Sequence, residues 1–484
     1  MTDRLASSRT WAAFVVLVAV SQGGIAGAQD CVGDCNGDRE VQLNELILGV
    51  NLALGSAGET PCDAFDSDEN GAVSVDELLL GVRSALLSCG ANPAGRLRRV
   101  GEEFQVNAAT SGDEECPAAA MNAARDFVVG WRAGNFLSAS FARSFDAEGD
   151  ALGDDLALNA SGVVPFGTEP RLAVDSEGNF LLAWVGGDLR ANSYSLLGQI
   201  VGPSGGVLVP AFEIGDSGVP LATVAGLAAA PDGSFLLVTS VSDGSGLGVS
   251  GLRLDAEGQP IGSEFQVNSA ESGDQDRASV AAGENGFVVT WTSSSLASGD
   301  PGDIIARRLD TGGLPVGSEF RVNTYTRQRQ DQASVAALTN GNFVLVWESE
   351  SQEGPNEGVF VQLFDSQGNR LGTELQANTY ARADQGDASV APDRDGGFVV
   401  VWESEKGSRP RAQDGSEGGV FAQRFDSEGN RIGIEFQVNT HTLEDQGTPW
   451  VAGNGSGDFV VVWESTDQDG AGEGVFGQRL RVEP

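Results

Sequence analysis

Two short stretches near the N-terminus carry oxygen-bearing side chains at the spacing that a calcium ion requires. In residues 34–45 and 66–77, such side chains stand at loop positions 1, 3, 5, 9 and 12. Ca²⁺ takes about six to eight oxygen ligands, and the carbonyl of position 7 and a bidentate carboxylate at position 12 complete the set. The predicted calcium sites comprise Asp34, Asn36, Asp38, Glu40, Gln42 and Glu45, and Asp66, Asp68, Asn70, Ala72, Ser74 and Glu77.

An amphipathic helical pattern follows each loop, at residues 46–54 and 78–87. This arrangement of a loop and a single following helix occurs twice and resembles the dockerin family. Dockerin loops have the pattern Asp-x-Asn-Gly-Asp, which stands here as Asp34-Cys35-Asn36-Gly37-Asp38. The resemblance covers residue 31 to about residue 89. It implies calcium at the matching positions and docking to a cohesin-type partner. The alternative is a pair of acidic turns without metal, and bound calcium could be structural or regulatory.

Four of the five cysteines lie in this small N-terminal region, where a thin core gains most from disulfides. Cys31, Cys35, Cys62 and Cys89 allow three pairings, and the sequence does not choose among them. Cys116 lies further along the chain and is predicted to be a free thiol or an intermolecular partner.

The N-terminal 28 residues have the pattern of a signal peptide. Arg4 and Arg9 precede the apolar residues 11–20, and Ala26-Gly27-Ala28 offers a cleavage site. We therefore expect a secreted, periplasmic or extracellular protein with no transmembrane segment after signal removal. The net charge of −40 opposes binding to nucleic acid or to anionic membranes.

A phrase of four short β-like segments recurs along the rest of the chain. Its most apolar segment, such as residues 398–402, is apolar at every position. This pattern predicts a strand that is buried on both faces. The equivalent positions are 52 to 61 residues apart, at Trp131, Trp184, Thr239, Trp291, Trp347, Trp402 and Trp463. Seven units of four strands predict a mainly β fold, a seven-bladed β-propeller.

The ends of the repeat region predict how the ring closes. Residues 103–107 form a strand with no unit before it, and the last unit stops at Val482 without its outer strand. The N-terminal strand is therefore expected to complete the last blade, and Phe436 to lie in the outer strand of the sixth. An open β-solenoid is the alternative. The predicted domains are the signal peptide 1–28, an α-helical dockerin-like calcium domain 29–91, a linker 92–100 and the propeller 101–484.

Two phrases of the repeat resemble those of seven-bladed propellers in large secreted bacterial proteins. They stand here as Glu435 to Thr440 and Phe459 to Ser465. The resemblance implies the fold and no activity, because propellers host binding, assembly and catalysis alike.

Acidic and amide residues recur on the loops expected at one mouth of the ring. Glu348, Glu403 and Glu464 follow the apolar strands. The predicted ligand-binding pairs before the innermost strands are Asp274-Gln275, Asp331-Gln332, Asp384-Gln385 and Asp445-Gln446. A carboxylate ring could attract a cation, a basic protein segment or sugar hydroxyls. Alternatively, these pairs hydrogen-bond neighbouring blades.

These patterns favour a secreted, non-catalytic, calcium-binding interaction protein whose propeller face binds a protein or glycan. Because acids repeated at equivalent positions single out no catalytic pair, we predict that the protein is not an enzyme. His441, the only histidine, has no nucleophile motif beside it. The alternative is an extracellular carbohydrate-active enzyme, a glycosidase or lyase, with a dockerin-like attachment module.

Overall fold

A computed structural model describes Leu46, Val50 and residues 95–483, apart from residues 111, 135–138, 159–165, 189–192, 217–222, 245, 270–272, 296–299, 353 and 406–412. The predicted signal peptide, both calcium loops and the four N-terminal cysteines lie outside the described residues, so those expectations stay predictions. Among the residues described, no helix is long and apolar enough to cross a bilayer.

The described part of the chain forms seven antiparallel sheets, which confirms the predicted seven-bladed propeller. Blade 1 consists of β2 (Glu114–Met121), β3 (Phe127–Ala133), β4 (Ala139–Phe145) and β5 (Leu156–Ala157). Blade 2 consists of β6 (Phe166–Gly167), β7 (Arg171–Val174), β8 (Phe180–Asp188), β9 (Ser193–Val201) and β10 (Val207–Asp216). Blade 3 consists of β11 (Thr223–Ala229), β12 (Phe235–Ser242), β13 (Leu247–Leu254) and β14 (Phe265–Gln266).

Blades 4 to 6 have four strands each: β15 (Asp274–Gly283), β16 (Gly286–Ser295), β17 (Asp300–Leu309) and β18 (Pro315–Arg321); β19 (Gln330–Ala337), β20 (Phe343–Glu350), β21 (Glu357–Phe364) and β22 (Arg370–Gln376); and β23 (Asp384–Pro392), β24 (Phe398–Glu405), β25 (Gly418–Phe425) and β26 (Arg431–Gln437). Blade 7 contains β27 (Gln446–Gly453), β28 (Asp458–Thr466), β29 (Glu473–Val482) and β1 (Leu97–Gln105). Phe436 lies in the outer strand of blade 6, as predicted.

Burial between neighbouring blades explains why the second strand of a blade is apolar at every position. In β24, Val400 and Trp402 pack in a cluster with residues of blade 5, whereas Val399 and Val401 pack in a cluster with residues of blade 7. Alternate side chains of one strand therefore fill two different interfaces. The six tryptophans at this position are fully buried: Trp131, Trp184, Trp291, Trp347, Trp402 and Trp463.

The two ends of the repeat region meet in blade 7. β1 pairs antiparallel with β29, with Val100 opposite Arg479 and Phe104 opposite Gly477. The Phe104 ring lies 5.4 Å from the Phe145 ring of blade 1. This closure confirms the predicted topology and excludes the open solenoid for the described residues. β1 begins at Leu97, inside the segment predicted as linker.

Candidate functional site

The innermost strands of five blades share an irregularity near their first residues. The pairing register shifts there, which is the mark of a β-bulge, and one residue takes a left-handed backbone conformation. These residues are Cys116 (φ 53), Arg277 (φ 51), Gln332 (φ 53), Asp387 (φ 47) and Thr448 (φ 47). Such conformations cost free energy in a residue with a side chain, and they concentrate at functional sites.

The bulge residues surround a central cavity of about 570 Å³ that residues from the innermost strands of all seven blades line. The bulge position carries a different side chain in each of the five blades. Among these five residues, Asp387 alone has a carboxylate. The site is therefore asymmetric although the ring that holds it is repetitive.

Three carboxyls meet at this side of the channel. At least one oxygen of each of Asp387, Glu403 and Glu405 lies within 4.8 Å of one oxygen of the other two. Asp387 is on the bulge of β23, and both glutamates are near the end of β24, which pairs with the beginning of β23. Glu403 is buried, Asp387 is half-buried and Glu405 is exposed at the rim. Oxygens at this spacing could share a cation, although nothing beyond the spacing points to one.

Burial raises the pKa values of all three carboxyls, and neighbouring carboxylates add to the shift for Glu403 and Glu405. Burial, and then the charge of Asp387, raises the pKa of Glu405 to about 6. Burial also raises the pKa of Asp387, but a hydrogen bond from Gln332 and the nearby Arg277 oppose that shift. Burial raises the pKa of Glu403 well above its usual range, which favours its protonated form. The trio thus combines groups that release a proton at different pH values.

Glu403 also belongs to a repeated contact between blades. Its Oε2 accepts a hydrogen bond of 3.0 Å from the backbone N–H of Thr448 in blade 7. Glu348 accepts from the N–H of Asp387, and Glu464 from the N–H of Cys116. Each glutamate therefore holds the bulge of the next blade. Since a structural role accounts for all three, Asp387 and Glu405 are the better candidates for chemistry.

Opposite charges lie beside the trio on blades 4 and 5. Arg277 Nη1 is 3.0 Å from Asp331 Oδ2, and Arg329 pairs with the same carboxylate. The hydroxyl of Thr292 donates to Asp331 Oδ1 at 2.8 Å. Asp331 is buried, whereas both guanidinium groups are nearly half exposed. The mouth of the channel is thus acidic at blade 6 and carries positive charge towards blade 4.

The predicted glutamine positions lie within the blades. Gln275, Gln385 and Gln446 are each 0% exposed. Gln385 Oε1 accepts a hydrogen bond of 3.0 Å from the indole N–H of Trp402. Gln275 and Gln446 accept from the preceding asparagine side chains, Asn268 and Asn439. The Gln385 bond thus holds the innermost strand to its own blade, whereas the bonds of Gln275 and Gln446 join the innermost strand to the outer edge of the preceding blade.

The aspartates before these glutamines face the preceding blade. Asp274 accepts from the N–H of Leu247, and Asp384 from the N–H of Glu357, both at 3.1 Å. Asp445 stands at the equivalent place beside Gly418. The structure thus brings these side chains to the boundaries between blades. Whether any of them contacts a ligand stays a prediction.

Asp331-Gln332 occupies a different place from the other three pairs. The strand register aligns Gln330 with Gln385, since Gln330 is opposite Ser349 and Gln385 opposite Ser404. Gln332 therefore stands at the bulge, where it donates to Glu348 Oε1 at 2.7 Å. Asp331 and Gln332 belong to the mouth of the channel.

Sequence reasoning missed Glu405, and it also missed Asp387. A comparison of the units in register could have found Asp387, because Cys116, Arg277, Gln332 and Thr448 occupy its place in four other units. Sequence reasoning matched Asp331-Gln332 with Asp384-Gln385, whereas the strand register matches Gln332 with Asp387. Cys116 itself is a free, half-buried thiol at the cavity, and burial raises its pKa.

No family model matches the chain, and no curated protein matches it. Solved structures do match the propeller. An ulvan lyase that represents a new family of polysaccharide lyase is 8% identical, with a TM-score of 0.50, and the match covers 79% of this chain and 96% of the lyase. A protein of unknown function from Dyadobacter fermentans is 12% identical, with a TM-score of 0.48 and coverage of 81% and 100%. An α-L-arabinofuranosidase from Fusarium graminearum is 9% identical, with a TM-score of 0.44 and coverage of 79% and 98%.

The match to the lyase corrects one prediction. The expectation that the protein is not an enzyme is wrong by this comparison, because a polysaccharide lyase has the fold of the ring over most of its length. The argument behind that expectation, that the acids recur at equivalent positions, also fails. Asp387 is an acid at a position where the other four bulge residues are not acidic. At 8% identity the likeness shows the fold alone, and it assigns no substrate to this chain.

Proposed function

We propose that this protein is an extracellular glycoside hydrolase whose catalytic carboxyls are Asp387 and Glu405. The observation that carries the proposal is their approach, within 4.8 Å, at the mouth of the central cavity. Retaining glycosidases place their two carboxyl groups about 5–5.5 Å apart, whereas inverting enzymes leave room for a water at about 6.5–9.5 Å. The spacing favours the retaining reaction.

The surroundings of the two carboxyls suggest their roles. Glu405 has a pKa of about 6 and is exposed at the rim, so it suits the general acid. Burial raises the pKa of Asp387, and the hydrogen bond from Gln332 and the charge of Arg277 oppose that rise. Because Asp387 lines the cavity, its carboxylate suits the nucleophile.

The reaction then has two displacements. Glu405 gives its proton to the glycosidic oxygen while a carboxylate oxygen of Asp387 bonds to the anomeric carbon, and the leaving sugar departs as an alcohol. In the second displacement, Glu405 takes a proton from water, whose oxygen attacks the same carbon and releases Asp387. The released sugar keeps its anomeric configuration.

We propose hydrolysis rather than elimination because of the negative charge of the protein. Lyases act on uronate polymers, which are anionic, whereas this chain carries a net charge of −40 and an acidic mouth. Electrostatic repulsion would slow the approach of such a polymer. Neutral polysaccharides are therefore the proposed substrates. The test is incubation of the purified protein with neutral and uronate polysaccharides: new reducing ends without absorbance at about 235 nm support hydrolysis, and unsaturated products support a lyase.

The N-terminal region completes the proposal. Ca²⁺ in the loops 34–45 and 66–77 would order a dockerin-like attachment module, with a cohesin-type protein as its partner outside the cell. Support comes from the ligand spacing in the sequence and from the signal-peptide pattern.

A further inference from the structure

The cavity continues beyond the carboxyls to a second layer of channel residues. In this layer, each residue stands opposite the residue that precedes the recurring tryptophan position of its own blade, which is Thr239 in blade 3. From blade 1 to blade 7 the residues at this position are Ala118, Arg171, Gly226, Ser279, Ser334, Ser389 and Trp450. Arg171, the three serines and Trp450 line the cavity. Five are small and two are large, so this layer is also asymmetric.

The two large side chains form one wall. The Arg171 guanidinium lies over the Trp450 ring, 5.5 Å from its centroid. The indole N–H donates to the carbonyl of Ala119 at 3.0 Å, which fixes the ring across blade 1. Both side chains are half-buried and line the cavity. This wall offers an apolar surface beside N–H donors.

Hydroxyls form the opposite wall. Ser279 and Ser334 are half-buried and line the cavity on blades 4 and 5. Ser389 is buried, and its Oγ accepts a hydrogen bond of 3.3 Å from the N–H of Val451. A pyranose or furanose ring has apolar C–H groups on its faces and hydroxyls around its edge. Walls of these two kinds match such a ring.

We propose that this second layer is the binding subsite for the terminal sugar at the non-reducing end of a glycan, so that the enzyme is exo-acting. The seven blades surround the cavity around the axis of the ring, so a polysaccharide enters it along that axis, by a chain end. The acid, Glu405, is at the rim and protonates the outer, leaving part of the chain. The sugar held between the Trp450–Arg171 wall and the serines is then the one that bonds to Asp387. This inference rests on the proposed hydrolase function.

Product sizes test the direction of attack. The probes are cello-, xylo-, manno- and arabinohexaose labelled at the reducing end with 2-aminobenzamide. An exo-acting enzyme with a subsite for one terminal sugar shortens the labelled chain stepwise from the unlabelled end, so labelled pentaose appears first and labelled tetraose follows. Labelled products of all sizes from the earliest times would overturn the inference while leaving the hydrolase function intact.

Binding tests the subsite independently of turnover. In the Asp387→Asn background, calorimetry measures the affinity for the corresponding trisaccharides. Ser334→Leu fills the channel and is expected to weaken binding at least tenfold. Leu314→Ala, on an exposed turn, is the control and is expected to leave affinity unchanged. Trp450→Phe, which keeps an aromatic wall, is expected to lose less affinity than Trp450→Ala.

The outcomes separate the two claims. If no hexaose is cleaved but a trisaccharide binds and Ser334→Leu abolishes that binding, the hydrolase function fails and the subsite stands. Equal affinity with and without Ser334→Leu, in variants with unchanged melting temperature, would overturn the subsite. Absence of both cleavage and binding across the four glycans would overturn both.

Discussion

The backbone N–H of Asp387 donates a hydrogen bond of 2.5 Å to Glu348 Oε1 across the boundary between blades 6 and 5. The proposed nucleophile is thus positioned by a carboxyl of the neighbouring blade. Gln332 donates to the same oxygen at 2.7 Å. One buried glutamate therefore links the stability of the ring to the geometry of the site.

The first prediction concerns the stability of the protein between pH 5 and pH 9. Burial, and then Asp387, raises the pKa of Glu348 from 4.5 to about 8. The folded protein therefore holds a proton that the unfolded chain releases, so this stabilisation is complete below about pH 4.5 and is lost as the pH rises towards 8. Each pKa unit corresponds to about 1.4 kcal/mol.

Glu348→Gln should flatten this dependence and raise the free energy of unfolding at pH 8 relative to the unsubstituted protein. Urea denaturation at a series of pH values measures it. Glu428→Gln, on an exposed turn, is the matched control and should change nothing. A Glu348→Gln protein with an undiminished slope would contradict the account.

The second prediction concerns the pH dependence of hydrolysis. If Glu405 is the acid, activity falls as the pH rises through about 6, its pKa. Activity also falls at low pH as Asp387 becomes protonated. Glu405→Gln should lower kcat by about 10²–10⁴-fold and remove the alkaline limb of the profile. An alkaline limb that survives in this variant would assign the acid to another residue.

The third prediction concerns ring closure. Phe104 in β1 packs on Phe127 and Phe145 of blade 1, with ring centroids 6.0 and 5.4 Å apart. Phe104→Ala should destabilise the propeller by about 2 kcal/mol or more, because it removes a large apolar side chain from this contact. Chemical denaturation measures the loss, with the exposed Val207→Ala as control. Equal stability of the two variants would show that β1 does not hold the ring closed.

The fourth prediction separates structure from ligand binding at the recurrent glutamines. Gln385→Leu leaves the buried indole N–H of Trp402 without its acceptor and should cost about 1–3 kcal/mol of unfolding free energy. Gln367→Leu, on an exposed turn, should be neutral. Thermal melting and glycan affinity are measured together. Unchanged melting with weakened glycan binding would instead support a ligand contact at Gln385.

The fifth prediction concerns calcium at the N-terminal loops. A ligand that binds only the folded state stabilises it, by about 2.7 kcal/mol at one hundred times its dissociation constant. EDTA should therefore lower the melting temperature of one calorimetric transition of the full chain and leave the propeller transition in place. The double variant Glu45→Gln and Glu77→Gln should melt alike with and without EDTA. Identical traces for the unsubstituted protein would refute the calcium sites.

The propeller could be predicted from the sequence because its signal is repeated. Tryptophans such as Trp402 recur at a nearly constant spacing, and the unpaired strand at residues 103–107 indicated the closure. The site could not be predicted in the same way. Asp387 differs from the repeat, and its approach to Glu405 depends on a bulge that turns the side chain towards the channel. A search for recurring residues therefore identifies the strands of the propeller and misses Asp387, which does not recur.

Release of sugar by the Asp387→Asn protein tests the central claim most directly. The measurement compares the rate at which reducing ends form from the best neutral polysaccharide for the unsubstituted protein, for Asp387→Asn and for Asp395→Asn, a control on an exposed turn of the same blade. The account predicts a loss of about 10³-fold or more for Asp387→Asn and none for the control. Equal rates for all three proteins would show that Asp387 is not the catalytic nucleophile.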